Sequence, residues 1–239
     1  MTCHFVRWTS TEVLPSLQRL SDDLIASTQS FSMKRRERYL KSRALLAELM
    51  FYLFGYPMLP PLMTAPNGRP CFSDINLPSF SLGYAGNTIG LLLSETGSVG
   101  MSMEIVHVRA SQQPQSEWQT QAEKAWVDAQ IDPLEAASQL AVIRQSVLKI
   151  PGFNLDGSKS LKLHPASGRL RVAHLPEVEA MSDIDDYLAW ACARTPQLNR
   201  LVLWNYTVAG GLSKTSEIIQ QQRQSTRFMK LTSRSAEKK

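Results

Sequence analysis

Apolar and polar positions along the chain recur with two periods, and the switches between them mark out helices and strands. Val13, Leu14, Leu17 and Leu20 have helical spacing and predict a helix over 11–29. The segment 33–54 predicts a stronger one. Its first two turns are basic and its last three apolar (Leu45, Leu46, Leu49, Met50, Leu53), with Ser32 as N-cap and Gly55 as stop. Six prolines between 57 and 78 predict a loop. Strand-like runs follow at Ser79–Tyr84, Thr88–Leu93 and Val99–Ile105, separated by the turn signals Gly86-Asn87 and Glu95–Ser98, as in an antiparallel meander.

After a polar stretch at 107–131 comes a second well-signalled helix, 133–150. Asp132 is its N-cap, Pro133 stands at the first position, Glu135 makes a capping-box-like start, and Pro151-Gly152 ends it. Further strand-like runs are Leu161–His164, Leu170–His174, Tyr187–Ala193 and Leu201–Tyr206. Helix then strands occurs twice. The pattern therefore predicts an α+β fold built as a duplicated pair of halves, 1–105 and 106–210, with a site between them. Residues 211–239 are polar, include QQQRQ and end in EKK, and predict a poorly ordered tail.

Composition narrows the class. The 239 residues are 43% hydrophobic, enough for a sizeable core, which excludes wholesale disorder. Cys3, Cys71 and Cys192 are odd in number, far apart and form no CxxC, so the expectation is neither a disulfide scaffold nor a zinc module but a reducing, cytoplasmic setting. Met1–Ser10 lacks the apolar centre of a signal peptide. The most apolar stretch, 44–63, carries Glu48 and three prolines, whereas a membrane span needs about 20 predominantly apolar residues. No membrane association is expected.

The charge is concentrated. Lys34–Arg43 (KRRERYLKSR) holds six basic residues and one acid, a local charge equal to the whole chain's net of +5. The remainder sums to zero. Such a patch attracts phosphates of a nucleic acid, a nucleotide or a lipid, although a solvated helix face also accounts for it. Arg36 and Arg43 are seven residues apart and share a helix face about 10 Å along the axis, the reach of a diphosphate. Positive charge near a helix N-terminus opposes the helix dipole, which argues against a purely structural role.

Five pieces then occur in order: RRERYLKSRALL at 35–46, GRP at 68–70, SFSLGYAGNTIGLLLS at 79–94, VGMSMEIV at 99–106 and IRQSVLK at 143–149. Together they resemble the Sfp-type 4′-phosphopantetheinyl transferases. That family shows a basic segment ending in (S)R-x-L, then G-K-P, F-N-I-S-H-S, G-(V/I)-D-I-E and W-x-x-K-E-x-x-x-K. The resemblance covers about 33–150. It implies a pseudo-twofold pair of α+β halves with coenzyme A in the cleft, and transfer of phosphopantetheine to a serine of an apo acyl or peptidyl carrier protein. It also implies release of adenosine 3′,5′-bisphosphate and a Mg²⁺ ion bridging pyrophosphate and carboxylates. A duplicated chain completes its own cleft, so a monomer is expected. A carrier protein has an acidic recognition helix, and basic and apolar groups near 107–131 are the expected dock.

The chemistry suits those residue types: a polyanion calls for Arg and Lys, and phosphoryl transfer is mostly positioning plus charge neutralisation. By the resemblance, Arg43 contacts coenzyme A phosphates with Arg36 assisting. Arg69 replaces the lysine of G-K-P with charge kept, and Lys149 matches the last lysine of the fifth motif. Ala141 stands where that motif has Trp. The S-H-S triplet becomes Gly83-Tyr84-Ala85, leaving a Tyr84 hydroxyl and a Gly83 backbone N–H. D-I-E becomes Ser102-Met103-Glu104, and K-E becomes Arg144-Gln145. Glu104 and Ser102 are the remaining expected metal ligands, on one face of a strand. Glu104, Lys149 and Gln145 are the expected catalytic groups, though Gln145 cannot act as a base. Two of three acidic ligands are gone, so the expected Mg²⁺ site is weakened while the positive patch is intact.

Three readings follow: an active transferase, a weak or inactive relative that binds coenzyme A or a carrier protein, and a small nucleic-acid-binding domain. The last requires aromatics interleaved with the basic run, and only Tyr39 lies inside it. The five tryptophans serve as core or partner-facing anchors, and the four histidines carry no assigned role.

Overall fold

A computed structural model of the chain describes residues 2–10, 14–106, 119–151, 161–172, 177–219 and 225–233. The elements run, in chain order, β1 (Thr2–Thr9), α1 (Asp22–Ala26), α2 (Met33–Phe54), β2 (Leu62–Thr64), β3 (Pro70–Phe72), β4 (Ser79–Ala85), β5 (Thr88–Ser94) and β6 (Ser98–Ile105). They continue with α3 (Gln121–Asp128), α4 (Pro133–Leu148), β7 (Leu161–His164), β8 (Arg169–Val172), β9 (Glu179–Asp185), β10 (Leu188–Thr195), β11 (Arg200–Thr207), β12 (Gly211–Ile219) and β13 (Met229–Thr232).

The fold is α+β, as the pattern predicts. One sheet has the order β12-β11-β1-β5-β4 and the other β6-β10-β9-β13-β8-β7, with β2 and β3 a separate hairpin. Period-2 alternation explains the layering. On β5, Leu91 and Leu93 join the cluster under α2, while Leu92 faces the second sheet. On β11, Val202 and Trp204 go one way and Leu201 and Leu203 the other. α2 buries Leu40, Leu45, Leu46, Leu49 and Met50 on the first sheet, each removal from water stabilising by about 1.5–3 kcal/mol. α4 buries Leu140, Val142, Ile143 and Val147 on the second. Phe5, Met101, Met103, Trp190 and Cys192 fill the space between the sheets.

Several predicted elements change. The helix expected over 11–29 shrinks to α1, capped by the Ser21 side chain at Leu24 N–H; 14–20 are not helical, and 11–13 lie outside the described residues. Pro15 offers no N–H and turns the residue before it away from the helical region. Ser32 stands at the N-cap of α2 without a side-chain cap bond, whereas Gly55 closes that helix at φ 73°. Asp132 caps α4 as expected, accepting from Leu134 and Glu135 N–H at 3.0 Å each. The full capping box belongs instead to Thr120 and Glu123 on α3, within the stretch that carries no clear pattern.

The meander is also corrected. β4 and β5 pair, but β6 pairs with β10 in the other sheet, and β11 returns to lie parallel to β1. Each sheet therefore combines strands from early and late in the chain. The predicted poorly ordered tail at 211–239 contributes β12, which folds back on the preceding β11 across a short turn, and β13, which pairs with the distant β9. Residues 220–224 and 234–239 lie outside the described residues, as do His107, His174 and Trp118 and the 107–118 part of the expected carrier dock.

Candidate functional site

The site is built where β4, the edge of the first sheet, meets β6, the edge of the second. Ser79 and Ser81 hydroxyls on β4 accept from the backbone N–H of Val99 (3.4 Å) and Met101 (3.0 Å) on β6. Side chains thus join two sheets that share no ladder. Gly83 leaves room for the Met101 side chain here: a Cβ on it would sit 2.4 Å from the Met101 sulfur, which would have to shift.

On β6, Val99, Met101 and Met103 enter the core between the sheets, so alternation turns Gly100, Ser102 and Glu104 toward α4. Their partners on β10 are Ala193, Ala191 and Ala189. This surface of small residues lets the helix approach. A Cβ on Gly100 would come 2.0 Å from the Ser146 carbonyl oxygen, so the last turn of α4 rests on the β6 backbone.

That contact positions two expected site residues. Ser102, 2% exposed, donates a 2.7 Å hydrogen bond to the side-chain carbonyl of Gln145. Lys149, the C-cap of α4, extends its Nζ to the Leu82 carbonyl on β4 at 3.1 Å. Burial pushes the Lys149 pKa down to about 8, with the nearby Arg69 charge adding to the shift. Arg69 is itself half-buried, burial lowers its pKa, and its Nη1 is buried without a hydrogen-bond partner. Arg69 and Lys149 therefore form a pair of partly desolvated cations. Each disfavours the other, and an anion between them relieves both.

Tyr84, two residues beyond Leu82, connects this pair to the basic patch. Its ring lines a cleft with Ser10, Lys34, Glu37, Arg38, Lys41 and Asn87, and the Arg38 guanidinium lies 5.1 Å over the ring. The cleft holds about 160 Å³, far more than the roughly 10–15 Å³ one ordered water needs. Lys41 is ion-paired with Glu37, while Lys34 and Arg38 are exposed. The i, i+4, i+7 spacing of Lys34, Arg38 and Lys41 puts them on one helix face, and this face, not that of Arg36 and Arg43, lines the cleft.

Those two arginines part company. Arg36 is exposed, and its Nε donates to Thr28 at 3.1 Å. Arg43 is 7% exposed, stacks 4.0 Å over Tyr39, donates to the Ser42 hydroxyl at 3.0 Å and has a buried Nε with no partner. Arg144, at the lysine of K-E, is structural. It forms a 2.5 Å ion pair with the fully buried Glu123 and donates to the Leu161 carbonyl, joining α3, α4 and β7.

The donor set does not fit a magnesium ion held by the protein itself. Glu104 is the one carboxylate on the α4-facing side of β6; Ser102 and Gln145 are neutral and bonded to each other, and Arg69 and Lys149 make the surroundings net positive. Among the described residues no group of three or more His, Cys, Asp and Glu converges in a way that could hold a metal. Among the described residues no helix is long and apolar enough to cross a membrane. The three cysteines are free, and Cys3 and Cys192 are buried. His4 accepts from the Trp204 indole at 3.2 Å, and burial, with Arg200 and Lys214, holds its pKa near 4.

No family model matches the chain. It is 41% identical over 209 residues to the uncharacterized protein YieE of Escherichia coli K12, covering 85% of this chain and 84% of that one. It is 36% identical to the 4′-phosphopantetheinyl transferase AcpT of Escherichia coli O157:H7 over 77 residues, 32% of this chain and 36% of AcpT. A putative 4′-phosphopantetheinyl transferase of Haemophilus influenzae is 22% identical over 204 residues, 80% of this chain and 86% of its own.

Proposed function

The chain belongs to the same family as Escherichia coli YieE, and on that premise we propose that it is a transferase of the 4′-phosphopantetheinyl class. In this reading it moves phosphopantetheine from coenzyme A to a serine of an apo acyl or peptidyl carrier protein. The observation that carries the reading is the β4 segment Leu82–Tyr84, which has the Arg69–Lys149 pair at one end and the Lys34/Arg38 cleft at the other. Two separate cation groups on one edge suit a ligand with two separate phosphate groups, the diphosphate and the 3′-phosphate of coenzyme A. The partial likeness to AcpT and the longer, weaker one to the Haemophilus protein support the same class.

The step follows from charge. The carrier serine oxygen bonds to the β-phosphorus, the bond from that phosphorus to the bridging oxygen breaks, and adenosine 3′,5′-bisphosphate leaves with the electron pair. Arg69 and Lys149 neutralise the diphosphate as charge shifts to the leaving oxygen. Glu104 takes the serine proton, since Gln145 has no basic site. Arg43 and the Lys34/Arg38 cleft orient the remainder of the nucleotide. In this reading the helix-on-sheet units of α2 and α4 are the two halves of a pseudo-twofold pair, and a monomer suffices.

A second reading, a relative that binds coenzyme A or a carrier protein without transfer, is favoured by the neutral Ser102–Gln145 pair. Incubation with coenzyme A and a panel of apo carrier proteins, with and without Mg²⁺, separates the two by intact mass. A gain of one phosphopantetheine establishes transfer. Coenzyme A binding by calorimetry with no mass gain on any carrier establishes the second reading. Absence of both overturns the assignment.

A further inference from the structure

In the proposed reaction a divalent cation ordinarily screens the diphosphate, yet the side chains at the β4–β6 junction are arranged for something else. The positions facing α4 along β6 are Gly100, Ser102 and Glu104, and the helix covers them so closely that Ser102 is 2% exposed. A cation placed there meets the single carboxylate of Glu104 beside a hydroxyl and an amide that already satisfy each other at 2.7 Å. Neither polar group is left wanting a ligand, so no cage awaits an ion. An acid at 145 would also lie one helical turn from Lys149 and neutralise it. With Gln145 there, the Lys149 ammonium has the Leu82 carbonyl as its bonded partner and Arg69 as its charged neighbour. Arg69 in turn keeps a buried Nη1 without a hydrogen bond among the described residues. Two cations that repel each other, one with an unmet donor, are held ready for an anion.

Resting on the transferase reading, we infer that this cluster binds the diphosphate of its ligand without a divalent cation: Arg69 and Lys149 supply the positive charge, and the Ser102–Gln145 hydrogen bond occupies the place from which acids would recruit a metal. The arrangement exchanges a mobile screening ion for two fixed ones. Direct charge-assisted hydrogen bonds from a guanidinium and an ammonium to phosphate oxygens are among the stronger polar contacts available. They act without loading a metal first.

Calorimetric titration of the full chain with coenzyme A, once in EDTA and once in Mg²⁺, is the test. The expected result is a dissociation constant that agrees between the two conditions within about threefold, and that Lys149→Gln and Arg69→Gln each raise by about tenfold or more in both. Binding seen only in Mg²⁺ overturns the inference and leaves the transferase reading standing. No binding in either condition, from protein that retains its far-ultraviolet circular dichroism, overturns the reading itself. Unchanged affinity in both Gln variants, each folded by the same criterion, overturns the assignment of the two cations.

Discussion

The Ser102 hydroxyl on β6 donates to the Gln145 carbonyl oxygen on α4 across 2.7 Å, joining two neutral side chains where the resembled family places acids. Restoring both acids tests what that bond replaces. In Ser102→Asp/Gln145→Glu two carboxylates share one site, so one stays protonated unless a cation arrives. Its melting temperature therefore rises on adding Mg²⁺, since a ligand of the folded state stabilises it. The wild-type midpoint is unmoved by the same addition in differential scanning fluorimetry. Equal responses would show that positions 102 and 145 do not define a metal site.

Lys149 sets a pH dependence. Burial and Arg69 bring its pKa from 10.5 to about 8, so it loses its charge as pH rises through 8. Coenzyme A affinity consequently falls between about pH 7 and 9, and Lys149→Gln flattens that fall in calorimetry. Stability without ligand runs the opposite way. The unfolded lysine holds its proton up to 10.5 and the folded one releases it near 8, so the unfolded state binds more protons in that window. This contribution makes stability rise with pH from 8 to 10.5. A wild-type affinity flat across pH 8 would remove Lys149 from the ligand.

Gly100→Ala separates packing from charge. Its Cβ would meet the Ser146 carbonyl at 2.0 Å and the Ile150 N–H at 2.9 Å, so α4 must lift from β6. Overpacking of this kind costs about 1–3 kcal/mol in urea denaturation. The same lift carries Lys149 away from Leu82, so coenzyme A affinity falls although no charge is altered. A variant of wild-type stability and affinity would disprove the close approach of helix and strand.

Glu123→Ala leaves Arg144, 8% exposed, as a buried guanidinium without its carboxylate. Breaking a buried pair from one side costs about 3–5 kcal/mol. The Leu163 N–H loses its acceptor on Glu123 as well, at 3.1 Å. The midpoint in urea drops accordingly, and a change under about 1 kcal/mol would show the pair to be solvent-screened. The double variant Glu123→Gln/Arg144→Met, which removes both charges, recovers a large part of the loss.

The helices α2 and α4 were legible because each carries its own start and stop. Gly55, Asp132 and Pro133 act within one turn, and the apolar period of 3.6 needs no partner to be seen. The runs that became β4, β5, β7, β10 and β11 were legible for a similar reason, alternation between turn residues. β1, β9, β12 and β13 were not. A strand with mixed polarity is made by the ladder it joins, and β12 and β13 are held by β11 and β9. The exchange of β6 and β11 between sheets is likewise invisible, since a strand's own pattern does not say which neighbour pairs with it.

The amino-acid order alone determined the kinds of group available: a basic run of six cations and one acid, a conserved charge at Arg69 and Lys149 relative to the resembled motifs, and neutral residues at 102 and 145. Tertiary structure decided how they are used. It sent Arg36 to Thr28 and Arg43 beneath Tyr39, gave Arg144 to Glu123, and placed Lys149 beside Arg69 at the β4 edge. The physical reason is range. Composition, capping and periodicity are local, but desolvation and charge coupling depend on which distant segments share a site, and only packing of α4 on β6 brings 102 to 145.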